Sequence, residues 1–279
     1  MTAWRKALAL LLLAGAASVQ AQESVSFPSL DGAGNAPVVL TGLFFAAAES
    51  PARTVVLLHG CSGVFDRSGA LAGRLRDYVA LFNGLGMHAV VVDSLTARYE
   101  KEICTQKIGK RRVTQANRRL DALGAVAYLA DRSDVDAARI GLVGWSNGGS
   151  TVLAATNLRH RDVTAARIKP AFAVAFYPGC EADLRRGYEP AAPLLLLVGE
   201  ADDWTPAAPC RALARAAAEP KPAIESYAGA FHGFDSDAPV RVRKDVPNGV
   251  NPAQGVHVGG DAAAWRKSRE RLLRFLAAH

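Results

Sequence analysis

The amino-acid sequence predicts an α/β protein with a mostly parallel, doubly wound sheet flanked by helices. Near-continuous apolar runs at 53–58, 88–92, 140–143, 171–176 and 193–198 read as strands covered on both faces. Segments of helical periodicity alternate with them, so the crossovers are helical and the strands parallel. The chain has 279 residues, 50% of them apolar, and no internal repeat, which is enough for one large core. One α/β domain over 22–279 is therefore expected behind a leader at 1–21.

In that leader, Arg5 and Lys6 precede the apolar run 7–13, and small residues follow up to Val19-Gln20-Ala21. This is the pattern of a secretory signal peptide cleaved after Ala21. The run is too short to span a bilayer, and no later segment is long and apolar enough. The mature chain is thus expected in the periplasm or secreted, with no integral membrane span. Cleavage removes two of the 33 basic residues and leaves a mild excess over the 26 acidic ones. These charges are scattered. The one denser group, Lys107, Lys110, Arg111 and Arg112, reads as a solvated helix start, since a nucleic-acid partner would call for a basic stripe with interleaved aromatics.

Residues 24–45, with Asp31-Gly32 and Gly34-Asn35 as turn signals, suggest an antiparallel edge hairpin. The central strand 53–58 runs into His59-Gly60-Cys61-Ser62-Gly63, where His59 reads as a residue that holds the loop by bonding backbone. A helix from near Ala70 to Gly84 leads to the strand 88–92 and Asp93-Ser94. Residues 95–112 lack periodicity and are expected as a loop over the sheet's carboxyl end, with Arg98, Tyr99 and Lys101 as candidates to face a pocket. From 113 to 129 the positions Ala116, Leu120, Leu123, Ala127 and Tyr128 fall near helical spacing. Strands at 171–176, 193–198 and 223–227 and a terminal helix at 262–276 complete the order.

The chemistry is concentrated at Gly144-Trp145-Ser146-Asn147-Gly148, between the strand 140–143 and the helix-like 150–155. A serine at the apex of a strand-turn-helix needs a strained backbone, and small neighbours such as Gly144 and Gly148 let strand and helix crowd beneath it. Ser146 then points outward from the sheet's carboxyl end. The Asn147 amide sits at a helix N-terminus, where unpaired N–H groups favour developing negative charge. After the strand 193–198, the turn Gly199-Glu200-Ala201-Asp202-Asp203-Trp204-Thr205-Pro206 offers three acids, Glu200, Asp202 and Asp203, to orient a histidine. After the last strand, Ala230-Phe231-His232-Gly233-Phe234-Asp235 places His232 to reach back to Ser146 as general base and then acid. His257 is its competitor, because the loop 249–260 could fold over the site. His88 opens a strand, His160 sits in a basic turn and His279 is terminal.

The order Ser146, acid, His232 is that of the α/β-hydrolase triad. The motifs LLHGCSG, GLVGWSNGG, FYPGC, GEADDWTP and AFHGFD together resemble the dienelactone hydrolase family of that superfamily, from about Val38 to the terminal helix. The resemblance implies the α/β-hydrolase fold and singles out Asp202, four residues before Pro206, as the acid. It also implies a second oxyanion donor in the amide after His59-Gly60, that of Cys61. The founding members use a cysteine nucleophile where this chain has Ser146, so the expected activity is that of a serine-type esterase or lactonase working on a small-molecule substrate without cofactor. Acyl transfer to another acceptor would use the same residues, and a non-catalytic binding protein would be expected to have lost one of them.

Four cysteines in an exported chain are free to pair. Cys61, Cys104, Cys180 and Cys210 are all expected in loops, and pairing Cys180 with Cys210 at neighbouring strand ends leaves Cys61 for Cys104. No C-x-x-C spacing calls for a structural metal. Trp145 and Trp204 flank nucleophile and acid as an aromatic wall or as packing, and Arg98 or Arg241 is a candidate for a substrate carboxylate.

Overall fold

The computed structural model describes residues 22–32 and 37–279, so the leader and the Gly34-Asn35 turn signal lie outside the described residues. Strands β1 (Gln22–Pro28), β2 (Val39–Phe45), β3 (Ala52–Leu58), β4 (His88–Asp93), β5 (Val135–Trp145), β6 (Phe172–Phe176), β7 (Leu194–Gly199) and β8 (Ala223–Tyr227) form one sheet in the order β1-β2-β4-β3-β5-β6-β7-β8. The pairs β1–β2 and β2–β4 are antiparallel, and from β4 to β8 every pair is parallel. Because β3 and β5 are neighbours, the loop that ends one lies against the turn that ends the other.

The helices are α1 (Gly73–Gly84), α2 (Gln115–Ala130), α3 (Asn147–Ala155), α4 (Arg161–Ala165), α5 (Glu181–Arg186), α6 (Ala207–Ala216) and α7 (Ala262–Ala278). Alternation along the strands divides the core between the two faces of the sheet. Val56, Leu58, Val90 and Leu142 pack with Leu129 of α2, Val152 of α3 and Leu213 of α6. Val55, Leu57, Val91 and Val143 pack with Phe82 of α1 and Leu272 and Phe275 of α7.

Several local expectations need correction. Helix α2 starts only at Gln115, where Thr114 and Asn117 form a capping box, so the basic group 107–112 belongs to the preceding turn, not to a helix start. Of the positions read in the sequence, Leu123 is buried, Leu120, Ala127 and Tyr128 are half-buried and Ala116 is exposed, and the buried face also takes in Arg118, Ala122, Ala125 and Leu129. The small residues at 122, 124 and 125 allow close approach, and a Cβ on Gly124 would come within 2.6 Å of the Pro28 carbonyl. Cys210 lies within α6, not in a loop. The stretch 249–260 is partly ordered as β10 (Val256–Val258), which pairs antiparallel with β9 (Arg241–Arg243).

Candidate active site

Ser146 is held at φ 55 and ψ −117, in the left-handed half of backbone space that non-glycine residues avoid. The turn is possible because its neighbours lack side chains. A Cβ on Gly144 would lie 2.3 Å from the Gly148 carbonyl oxygen, and one on Gly148 would lie 1.9 Å from that of Leu58. The Ser146 amide donates to the Phe176 carbonyl at 2.9 Å, so β6 braces the apex.

His232 reaches this serine from beyond the outermost strand. Its Nε2 lies 2.8 Å from the Ser146 hydroxyl, and its Nδ1 lies 2.8 Å from Oδ2 of Asp202. A carboxylate only accepts, so Nδ1 carries the proton of the neutral ring and Nε2 accepts from the serine. Asp202 is fixed in turn: Oδ1 accepts the Trp204 and Thr205 amides, each at 2.8 Å, and the Thr205 hydroxyl lies 3.0 Å from Oδ2. Both Asp202 and His232 are only 5% exposed. The Tyr177 and Trp204 rings pack on the imidazole, each with its centroid 4.7 Å away. Behind His232, the Gly259 amide donates to its carbonyl at 3.0 Å, so the end of β10 anchors the loop.

The other candidates go elsewhere. Asp203 faces the opposite way and accepts from both the backbone amide (2.8 Å) and the ring Nδ1 (2.7 Å) of His257, so the competing histidine is paired with the competing acid. Glu200 pairs with Arg211 near the surface. Trp145 is buried and donates its Nε1 to Asp235 at 2.9 Å, a carboxylate that also takes the Tyr177 hydroxyl at 2.7 Å and Arg74 Nε at 3.0 Å. Asp235 and Thr205 stood inside the sequence motifs without a role of their own, and the structure makes both braces of the His232 loop.

The amides of Cys61 and Asn147 both border the cleft beside Ser146, and neither is paired with an acceptor among the described residues. Cys61 is bonded to Cys104 and its carbonyl accepts the Ile103 amide at 2.8 Å, so the loop after β3 is tied twice to the loop after β4. The second disulfide joins Cys180 to Cys210. His59 is buried; Nδ1 donates to the Gly60 carbonyl at 2.6 Å, which leaves Nε2 to accept the Ser94 amide. Burial, reinforced by the charge of Arg118, lowers its pKa to about 3. A neutral His59 in the folded chain and a titrating one in the unfolded chain make stability fall as pH drops from about 6.5 towards 3, by ~1.4 kcal/mol for each pH unit. Urea unfolding at pH 7 and pH 5 should therefore show a His59→Gln variant that loses less stability between the two than the wild type does. Equal losses would refute this account of His59.

The model of the dienelactone hydrolase family matches residues 40–279. The chain belongs to that family. Among solved structures it is similar to a protein from Klebsiella pneumoniae described as a candidate dienelactone hydrolase, with 16% identity, a TM-score of 0.64 and coverage of 93% of this chain and 100% of that one. Thermogutta terrifontis esterase 2, in a form phosphorylated by paraoxon, matches with 20% identity, a TM-score of 0.61 and coverage of 92% and 94%. A dienelactone hydrolase-like promiscuous phosphotriesterase from metagenomic libraries matches with 17% identity, a TM-score of 0.64 and coverage of 93% and 98%. At these identities the likeness is one of fold. No curated protein matches the chain.

In this dienelactone hydrolase family member Ser146 lies where two clefts meet. One, of about 210 Å³, is bordered by Arg74, Tyr177, Trp204, His232, Arg241 and Arg243. The other, of about 720 Å³, opens on the Asn147 side towards Arg111, Gln115, Glu181 and Arg185. Arg98 is in neither: it is turned onto Asp121 and Asp31, at 2.8 and 3.2 Å. Tyr99, 91% exposed, and Lys101 border a separate surface groove with Phe65 and Val242. Of the two arginines considered for a substrate carboxylate, only Arg241 borders the cleft.

Proposed function

We propose that the protein is an exported serine hydrolase that cleaves a carboxylic ester or lactone through an acyl-Ser146 intermediate. The observation that carries this is the unbroken hydrogen-bonded chain from Ser146 through His232 to Asp202 at the floor of an open cleft. His232 takes the serine proton as Oγ attacks the carbonyl carbon, and Asp202 stabilises the imidazolium so formed. The oxyanion is met by the Cys61 and Asn147 amides. The tetrahedral species then expels the alkoxide, which receives the proton from His232, and a water activated by the same ring frees the acid. Arg74 and Arg243 on the border of the cleft are paired with Asp235 and Asp245, whereas Arg241 has no carboxylate partner among the described residues and favours substrates carrying negative charge.

Export after removal of 1–21 agrees with two disulfides, which form and persist in oxidising compartments. No helix of the described residues is long and apolar enough to cross a membrane. The two bridges should differ in their effect. Cys61→Ser with Cys104→Ser frees the loop that carries one oxyanion donor and should lower kcat about tenfold or more. Cys180→Ser with Cys210→Ser should cost about 3–4 kcal/mol of stability for a loop of that length and leave kcat near wild type at a temperature where the variant is folded. Steady-state kinetics beside thermal unfolding checks both, and equal kinetic losses would remove the distinction.

The functional reading itself is tested with a fluorophosphonate probe. Intact-mass analysis should show one adduct, peptide mapping should place it on Ser146, and short p-nitrophenyl esters should be hydrolysed. A folded wild-type protein that neither labels nor turns over would overturn the reading.

A further inference from the structure

We infer that Arg118 is a positioning residue for the oxyanion hole, tying the two chain segments that carry the Cys61 and Asn147 amides to one buried guanidinium. The inference rests on the serine-hydrolase reading above and deepens it.

Arg118 lies on α2 with 0% of its surface exposed. Burying a cation is costly unless its donors are used, and an apolar side chain of similar size would fill the same space without that cost. What the arginine adds is a rigid pair of donors. Its Nη2 donates to the His59 carbonyl at 2.7 Å, and its Nη1 donates to Oδ1 of Asn147 in a very close contact. His59 stands two residues before Cys61, and Asn147 immediately follows Ser146. The guanidinium is planar and its two terminal nitrogens have a fixed separation, so bonds from both set the spacing of the segments that accept them. Gln115, one turn earlier on α2, grips the same residue: its Nε2 donates to the Asn147 carbonyl at 3.1 Å, and its Oε1 accepts the Thr151 hydroxyl at 2.9 Å.

The charge on Arg118 is met by no direct ion pair, its Nε has no partner among the described residues, and Asp121 and Asp93 act on it only from a distance. Its two acceptors are neutral, and among the described residues no carboxylate bonds to it. The nearby Asp121 is taken by Arg98 and Ser29, and Asp93 by the Leu95 and Thr96 amides. Burial lowers the Arg118 pKa to about 10, which still leaves it protonated at neutral pH. The arrangement therefore keeps a charged, planar donor pair on the two segments that carry the oxyanion amides, in place before the reaction begins.

Asn147→Ala removes the side-chain acceptor but keeps the Asn147 backbone amide; Arg118→Lys keeps the charge but not the planar fork; Arg118→Met removes both bonds. We expect kcat to fall about tenfold to a hundredfold in Asn147→Ala and Arg118→Lys, and further in Arg118→Met, with KM within about threefold. The inhibition constant of an aryl boronic acid, whose adduct with the serine presents an oxygen to the hole, should rise in parallel with the loss in kcat/KM. Arg118→Met with Asn147→Ala should be no worse than Arg118→Met alone, because one contact is lost by either change. A wild-type kcat in Asn147→Ala, a loss confined to KM, or additive losses in the double variant would overturn the inference. Should Arg118→Met fail to fold, Asn147→Ala and Arg118→Lys with wild-type melting temperatures decide it alone. Failure of the wild type to label with fluorophosphonate would instead count against the hydrolase reading, so the two failures are distinguishable.

Discussion

Ser146→Ala will fold like the wild type and turn over a short p-nitrophenyl ester about 10⁴- to 10⁶-fold more slowly, the range expected when a nucleophile acting as part of a unit is removed. The fold should tolerate the change because the hydroxyl's one strong side-chain contact is to His232, while the strained backbone is held by the amide bond to Phe176 and by the glycines beneath it. Alanine at φ 55 bears the same penalty that serine already bears. Residual hydrolysis would come from binding and the oxyanion donors alone. A variant within tenfold of wild type, with a melting temperature showing it folded, would remove Ser146 from the reaction.

Asp202→Asn should cost about 10⁴ in kcat, whereas Asp203→Asn should stay within about tenfold of wild type. The reason is tautomeric. The asparagine oxygen will stay on the Trp204 and Thr205 amides that Oδ1 now accepts, which turns its NH₂ towards Nδ1 of His232. The ring must then carry its proton on Nε2 and can no longer accept the serine's. Asp203 is removed from this chemistry, since its carboxylate is used by His257, whose side chain is 43% exposed. Its loss should loosen β10 and cost up to about 1 kcal/mol in thermal or urea unfolding, as partly exposed ion pairs do. Comparable kinetic losses in the two variants would mean that the acid has been misassigned.

The strand order and the serine turn were legible because both rest on local patterns. Apolar runs of strand length alternating with helical spacing can be covered only by crossover helices, and Gly144-Trp145-Ser146-Asn147-Gly148 after such a run leaves the chain little else to do. The helix faces were less legible. In α2 the buried stripe at 118, 122, 125 and 129 begins with an arginine, and a reading by hydrophobicity passes over a charged residue at the head of such a stripe. An arginine in register with buried alanines was the one available signal that α2 reaches the segments of His59 and Asn147.

Asp202 and Asp203 show where local pattern stops and the choice of Asp202 rests on the family resemblance alone. They are adjacent and identical in type, and in an irregular turn nothing local fixes which carboxylate faces which histidine; that was settled by β10, which brings His257 to one and the backbone holding His232 to the other. Likewise the loop 95–112 has no period to say where its side chains go, and Arg98 was drawn from the cleft by the buried carboxylate of Asp121 on α2. By itself the sequence determined the α/β sheet, the serine turn and the histidine loop, because backbone sterics and hydrophobic period act between near neighbours. Only the tertiary structure decided where Asp203 and Arg98 turn, which arginines border the cleft and that Arg118 joins the His59 and Asn147 segments, because a buried polar group must find its partner wherever the packed chain provides one.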